Sequence, residues 1–216
     1  MIKFFINTSR ILFLVIFILL VTRGAMVMWL AIFGVTMILA LLLGRIFCGW
    51  ICPMNTVMLP AEWLSKKLNI QAKDAPNWLK SKSLPWIVLL IMIVTMIFAK
   101  RLFGVQIPIL LYLLVLSVII TLRYKPEIFH NHICPFGLLQ SLTGRFALFT
   151  EKANYGKCIG CKLCETVCPS EAVIVSKQNK KANINPELCH QCFNCQLICP
   201  KNAISYGRKS GGKIDG

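Results

Sequence analysis

Acidic side chains are scarce in this chain: 8 Asp and Glu stand against 24 Lys and Arg, for a formal net charge of +16. The imbalance is uneven. Residues 1–149 carry 14 basic and 3 acidic residues, and residues 150–216 carry 10 and 5. Because most of the excess falls on the most apolar part, it reads as membrane topology and contact with anionic lipid, not as a nucleic-acid surface. Other patterns are missing altogether. No C-x-x-C-H occurs, which excludes covalent c-type haem attachment. No phosphate-binding glycine loop, hydrolytic triad or dinucleotide fingerprint occurs either, so there is no catalytic residue to assign. No small-residue cleavage site follows the first apolar run. Thr22-Arg23-Gly24 leads straight into another, and the expectation is a retained span.

What the chain does have is apolar residues, 56% of the total. Leu, Ile and Phe concentrate before residue 123, cysteine and lysine after residue 150. The fold class expected is therefore a membrane all-α part, residues 1–149, joined to a small α+β part, residues 150–207, with a disordered tail at 208–216. Four transmembrane helices are expected, at Phe4–Thr22, Ala25–Leu43, Leu84–Ala99 and Val105–Leu122. Arg10 can snorkel toward the head groups, and if it does not, the first span is short. Residues 54–68 read as a helix lying along the bilayer surface, and Asp74-Ala75-Pro76-Asn77 as a turn. Basic residues crowd the 45–83 connection and the tail after the fourth span. Positive-inside logic then puts both termini and the cysteine-rich part in the cytoplasm of a prokaryote, with the chain multi-pass in its inner membrane.

The cysteine-rich part carries the strongest signal. It reads Cys158, Cys161, Cys164, Cys168-Pro169 and then Cys189, Cys192, Cys195, Cys199-Pro200. Each half is the C-x2-C-x2-C-x3-C-P run that holds a cubane iron–sulfur cluster, with the fourth Cys ligating the other cube. One [4Fe-4S] cluster is thus expected on Cys158, Cys161, Cys164 and Cys199, and a second on Cys189, Cys192, Cys195 and Cys168. A pair of zinc ribbons is the alternative reading of these eight residues. His190, between two of the ligands, would tune or shield a cluster. Lys157, Lys162 and Lys201 would raise a cluster's potential, dock an acidic partner, or simply be solvated.

Three cysteines remain, and an internal repeat explains where they fall. Sliding the chain by 82 residues places Phe47-Cys48 on Phe129-His130 and Ile51-Cys52-Pro53 on Ile133-Cys134-Pro135. The preceding spans superpose as well, giving two tandem two-helix repeats. An even number of spans separates the motifs, so both face one side of the membrane. Cys48, Cys52, His130 and Cys134 form a ligand set for a third metal centre or cluster. Packing residues are an equal reading, and a redox thiol pair, Cys48 with Cys52, a lesser one. His132 is a weaker ligand candidate beside them, and Gly34 and Gly44 read as packing glycines.

Two-helix units ending in C-x3-C-P, followed by a dicluster segment, resemble the NapH-type membrane ferredoxins and the C-terminal membrane part of NosR-type proteins. They are also similar to cluster-binding membrane proteins linked to cytochrome oxidase maturation. The resemblance runs from about Phe4 to Gly207, carried by Cys48-Gly49-Trp50-Ile51-Cys52-Pro53 and the Cys158–Pro200 region. It implies four spans, a cytoplasmic ferredoxin region, two cubane clusters and electron traffic with the quinone pool. The chain departs from the pattern at His130, where the second C-x3-C-P has lost its first Cys.

Three functions follow as expectations. The first is an electron-transfer subunit working with lipid and with other redox subunits, such as a cytochrome, a quinol-linked protein or a reductase. The second has the chain act as an oxidoreductase component of the quinol dehydrogenase kind, with bound quinone and with His130, His132 or Glu127 handling protons. The third is a maturation factor that reduces or delivers a metal such as copper through Cys48, Cys52, His130 and Cys134.

Overall fold

The structure, a computed structural model, describes residues 2–72, 74–102, 104 and 108–208. Among the described residues, three helices are long and apolar enough to cross a bilayer: α1 (Ile2–Thr22), α2 (Met26–Leu43) and α4 (Leu84–Leu102), with mean hydropathies of 2.4, 2.6 and 1.9. Between 17% and 28% of each is buried within the protein. The remaining apolar faces, such as Val27, Ile38, Leu90 and Phe98, have no protein cover and match a lipid environment. Glycines in the left-handed region, Gly24 (φ 69°) and Gly44 (φ 76°), close the ends of α1 and α2.

The fourth expected span is shorter. Helix α5 covers Ile109–Arg123, 15 residues or about 22 Å, less than the ~30 Å hydrocarbon thickness. Its expected start at Val105 lies outside the described residues. Arg10 does not snorkel. It is buried, and its Nε donates to the Gly49 carbonyl at 2.7 Å. The apolar stretch of α1 beyond Arg10 is therefore about 18 Å long.

Helix α3 (Pro53–Lys67) is not a free surface helix. It packs on α5 and α1, burying Met54, Met58, Ala61 and Ser65, and Ser65 Oγ donates to the Leu122 carbonyl at 2.6 Å. After α5 come α6 (Pro126–His132) and α7 (Pro135–Gly144). The pairing is reciprocal: α3 of the first repeat packs on α5 of the second, and α7 of the second packs on α2 of the first. The two motifs also share local geometry. In each, the second Cys donates its N–H five residues back, Cys52 to Phe47 and Cys134 to Phe129, both at 2.8 Å. Each then sits in extended backbone (φ −64°, ψ 118° and φ −70°, ψ 115°), where it starts a helix with Pro in the first turn. Pro is suited there, since its missing N–H leaves no helical bond unmade. Phe47 and Phe129 are buried at equivalent places in the core.

The C-terminal module has two small antiparallel sheets. Strand β1 (Phe149–Ala153) pairs with β4 (Ile204–Arg208), and β2 (Val173–Val175) with β3 (Ala182–Ile184). Short helices α8 (Leu163–Thr166) and α9 (Asn194–Ile198) pack on each other. The core is small, built on Ala172, Val173, Val175, Ala182, Ile184 and Ile204 with the cysteines among them, as expected of a domain that needs staples. Strand β4 runs through Arg208, where the tail was expected to begin, and residues 209–216 lie outside the described residues.

Candidate functional site

Two left-handed residues, Lys162 (φ 63°) and Phe193 (φ 60°), turn the chain into α8 and α9. They fold each C-x2-C-x2-C run back on itself. One cavity is lined by Cys158, Cys161, Cys164 and Cys199 together, with Val175, Ala182, Pro200 and Ile204 closing it from water. Three sulfurs of the first run thus meet the fourth of the second. Cys168, Cys189, Cys192 and Cys195 form the complementary set, each within electrostatic range of the others. Backbone N–H groups point at the outlying sulfurs: Ala172 to Cys168 at 3.2 Å, Ala182 to Cys158 at 3.4 Å and Ala203 to Cys199 at 3.3 Å. Such donors favour thiolate over thiol. Burial acts the other way, pushing Cys164 and Cys192 up to about 11 and Cys189 and Cys195 higher still. These sites would hold thiolates once cationic iron supplied the missing charge. All eleven cysteines are free of disulfides.

The remaining cysteines lie where the module sits on the helices. A five-residue π-helical turn, Phe47–Ile51, carries Cys48, and Cys52 caps α3. Cys48, Cys52 and Cys134 are all buried, and they lie within electrostatic range of one another. Arg45 is 1% exposed. Its guanidinium stands 3.8 Å from Cys48 Sγ and donates to the Glu187 carbonyl at 2.9 Å. Burial, then Arg45, press His130 down to about 3, so this imidazole is neutral. Burial pushes Cys134 up to about 12. His130 and His190 meet edge to face with ring centroids 4.5 Å apart. His130 Nε2 and both nitrogens of His190 are buried without a hydrogen-bond partner.

The module is seated closely. Trp50 Nε1 donates to the Gln191 carbonyl at 2.9 Å, Tyr206 Oη to the Leu43 carbonyl at 3.1 Å and Asn131 Nδ2 to the Ser170 carbonyl at 2.9 Å. Gly49 lies against the His190 carbonyl, and Gly44 against the Gln191 side chain. Only glycine fits either place. Gly34, by contrast, has no packing role, because nothing lies within 4 Å of where its Cβ would be.

The three proton-handling candidates are not brought together. Glu127 and His132 line a cavity of about 160 Å³ with Asp74, Lys80, Lys125 and Glu171, whereas His130 faces His190. Burial raises Glu127 and lowers His132. A second cavity, about 440 Å³, opens between the start of α1, α3 and α9. Ile6, Leu59, Leu197 and Ile198 wall it, Lys3, Asn7, Arg10 and Asn194 supply polar groups, and Cys192 reaches it.

Charge counting missed Arg10 and Arg45, because a guanidinium weighs the same there whether buried or exposed. The signal available was the shortage of acids in residues 1–149. Among the described residues neither arginine meets a carboxylate; the ion pairs are Lys66–Glu62 and Lys125–Glu127. Among the same residues no three His, Cys, Asp or Glu side chains close tightly enough to hold one metal ion.

Comparison with known proteins places these features in a family. A model described as "4Fe-4S binding domain" matches twice, at residues 25–71 and 106–152, and one described as "4Fe-4S dicluster domain" matches residues 157–203. A Methanocaldococcus jannaschii protein without an assigned function is 30% identical over 73% of this chain and 63% of its own length. The methylamine utilization ferredoxin-type protein MauN of Methylobacillus flagellatus is 31% identical over 65% of this chain and 53% of its own. The ferredoxin-type protein NapH of Haemophilus influenzae is 29% identical over 66% and 53%. The chain therefore spans between about half and two thirds of the length of these relatives. No solved structure matches it. With two repeated units ahead of a dicluster segment, the chain is an iron–sulfur protein with 4Fe-4S binding and dicluster domains, distantly homologous to the ferredoxin-type proteins NapH and MauN and to NosR.

Proposed function

We propose that this chain is a membrane-anchored electron-transfer subunit that passes single electrons between a redox partner and the quinone pool. Cys158, Cys161, Cys164 and Cys199 hold one [4Fe-4S] cluster, and Cys168, Cys189, Cys192 and Cys195 the other. The helices lie in a prokaryotic inner membrane with both termini and the module on the cytoplasmic side, as the basic 45–83 connection favours.

The observation that carries the reading is the cavity beside Cys192. Its apolar wall, Ile6, Leu59, Leu197 and Ile198, suits a flat ring arriving from lipid. Asn7, Asn194 and Lys3 can donate to its carbonyl oxygens. When bound, a cubane takes up or releases one electron with little rearrangement. The residues of the chain do the rest. The N–H donors from Ala172, Ala182 and Ala203 hold sulfur charge in place, and Val175, Pro200 and Ile204 exclude water. Trp50, Arg45 and Tyr206 fix the module on the helices.

The test is anaerobic mixing of the purified holoprotein with ubiquinol and menaquinol analogues while cluster bleaching is followed. Leu59→Trp, which fills the cavity, is expected to slow quinol-linked bleaching by about tenfold or more, while dithionite still reduces both clusters. Equal rates in Leu59→Trp and wild type, or no exchange of electrons with either quinol in the wild type, would refute the quinone reading.

A further inference from the structure

One end of the ferredoxin module takes no part in seating it on the helices. We propose that this end, a rim of lysines around the mouth of the cavity lined by Cys158, Cys161, Cys164 and Cys199, docks an acidic one-electron redox protein whose centre exchanges electrons with the cluster held there. The inference rests on the two-cluster reading above but not on the quinone cavity.

The sulfurs are unequally covered. Of the eleven cysteines Cys161 alone is exposed, whereas Cys189, Cys192 and Cys195 of the second set are buried. Electron transfer between proteins weakens steeply with distance, so a partner does best where a ligand sulfur meets water.

Three loops converge on that sulfur. Lys162 and Lys201 line the cavity mouth with Ile159, Leu163 and Pro200. The turn between β2 and β3 is held against the first loop: Lys181 Nζ donates to the Cys158 carbonyl at 2.6 Å, and the Lys180 carbonyl fills the space a Cβ at Gly160 would need. Gly160 also has φ 71°, so the turn and the close approach both call for glycine.

Residues 157–163, 177–181 and 200–202 thus form one face. It carries Lys157, Lys162, Lys177, Lys180, Lys181 and Lys201, and no Asp or Glu. Lys181 is half-buried and the other five are exposed. The described acids of the module lie elsewhere. Glu151 is buried, Glu165 turns inward to accept the Val175 N–H, and Glu171 and Glu187 line a groove beside the start of α4. Lysines that serve solubility alone are interspersed with acids; here the two signs are segregated. Among the described residues no lysine of this face is in an ion pair.

The face has an apolar centre as well. Ile159 and Leu163 flank Cys161 in sequence and are 58% and 41% exposed. Apolar residues within a charged rim are the anatomy of a transient protein contact, and a rim of one sign steers a partner of the other. A lipid surface fits less well. The bonds that seat the module on the helices come from Ser170, Glu187, Gln191 and Tyr206, none of them on this face. A second copy of the chain would bring the same positive rim and be repelled. In the docked pair one electron passes between the partner's centre and the cluster, one being oxidised as the other is reduced, and no bond or proton is exchanged.

The test uses the holoprotein in phosphatidylcholine nanodiscs and a reduced plant-type [2Fe-2S] ferredoxin as the acidic probe, with cluster bleaching followed by stopped flow. The second-order rate is expected to fall about tenfold or more between about 0.02 and about 0.5 M salt. Lys157→Glu combined with Lys177→Glu should lower the low-salt rate about tenfold or more. Lys66→Glu combined with Lys67→Glu, the same change of charge on α3, should leave it within about twofold. Dithionite should bleach both clusters alike in all three proteins, as the control for folding; a wild type that dithionite cannot bleach would refute the two-cluster reading itself. Adding the oxidised probe should slow amide exchange at residues 157–163. Equal rates in the two variants, or a wild-type rate indifferent to salt, would overturn the proposal. So would protection of residues 157–163 that appears without the probe, on raising the protein concentration or on changing the disc lipid to phosphatidylglycerol, since the face would then belong to a second copy or to lipid.

Discussion

Substituting Gly49 by alanine tests whether the ferredoxin module is rigidly docked on the helices. A Cβ at this position would fall far inside contact with the His190 carbonyl oxygen, 3.2 Å from its carbonyl carbon and 3.5 Å from Cys192 N. An ordinary carbon–oxygen contact is about 3.3 Å, so the loop must withdraw by on the order of 1 Å. The carbonyl belongs to backbone flanked by two cluster ligands and cannot swing aside alone. Retreat by that amount takes the Trp50–Gln191 and Arg45–Glu187 bonds, both 2.9 Å, beyond hydrogen-bonding range. The first contributes about 1 kcal/mol and the second, from a charged donor, about 2 kcal/mol. The edge-to-face pair of Trp50 with Phe193, centroids 5.9 Å apart, adds up to about 1 kcal/mol. The expected loss is then about 3–4 kcal/mol, on the order of ten degrees in the midpoint of thermal cluster loss in detergent. Amide exchange should accelerate at Gln191 and Phe193. Gly34→Ala is the control, with open space around its Cβ. There alanine should leave the midpoint unchanged or raise it slightly, since it is the better helix former. If the two variants melt alike, the close approach of Gly49 does not hold the module, and the seating described above is wrong.

Two further outcomes follow from the module. Cys158→Ser and Cys199→Ser should abolish the same paramagnetic signal, while Cys168→Ser and Cys189→Ser abolish the other. A Cys199→Ser protein that instead lacks the signal lost in Cys189→Ser would refute the crossed assignment. Glu151 is 1% exposed with neither carboxylate oxygen paired, and burial raises it from 4.5 to about 7. The native protein keeps this proton between those values while the unfolded chain has released it. Its contribution to stability is therefore complete below pH 4.5 and lost as pH rises through 7, by up to about 3 kcal/mol. Denaturant titrations should show this slope in the wild type and its loss in Glu151→Gln; a slope of equal size in both would sink the assignment.

Much of this architecture is legible in the residues because some constraints are local. The spacing of Cys158 to Cys199 is set by how three thiolates on one loop reach one cube. The 82-residue repeat is visible because each unit needs the same Phe, Cys and Pro to turn a helix end back into the core. The apolar runs give α1, α2 and α4 within a few residues. What escaped is what depends on tertiary neighbours. Residues 54–68 have the amphipathic pattern of a surface helix, yet Ser65 is buried because Leu122 of the other repeat offers its carbonyl. Arg10 looks like a blemish in a span, and becomes a hydrogen-bond donor only once Gly49 is folded against it. Gly49 itself carries no signal apart from its place between two cysteines.

The positions of the cysteines also constrain where electrons could enter and leave under the proposed function. Cys48 follows α2, Cys134 follows α6, Lys3 at the start of α1 lines a cavity with Cys192, and Pro85 at the start of α4 lines one with Glu165. All of these lie at one end of the helices. The polar groups farther along, Thr36, Ser117 and Thr121, donate to carbonyls three or four residues back in their own helices. Apart from the Gln140 amide that donates to Thr36 Oγ1 at 3.4 Å, they satisfy local backbone, and the three are not linked to one another across helices. A gap close to the ~30 Å thickness of the hydrocarbon separates the cysteines from the far ends of α2 and α4. Under the proposed function, electrons entering the module would leave on the same face, either to a carrier that moves within the lipid or to a second protein that supplies the crossing. A cavity walled by Leu59 and Leu197 and reached by Cys192 meets the first requirement. That is why its closure in Leu59→Trp is the more discriminating experiment on function.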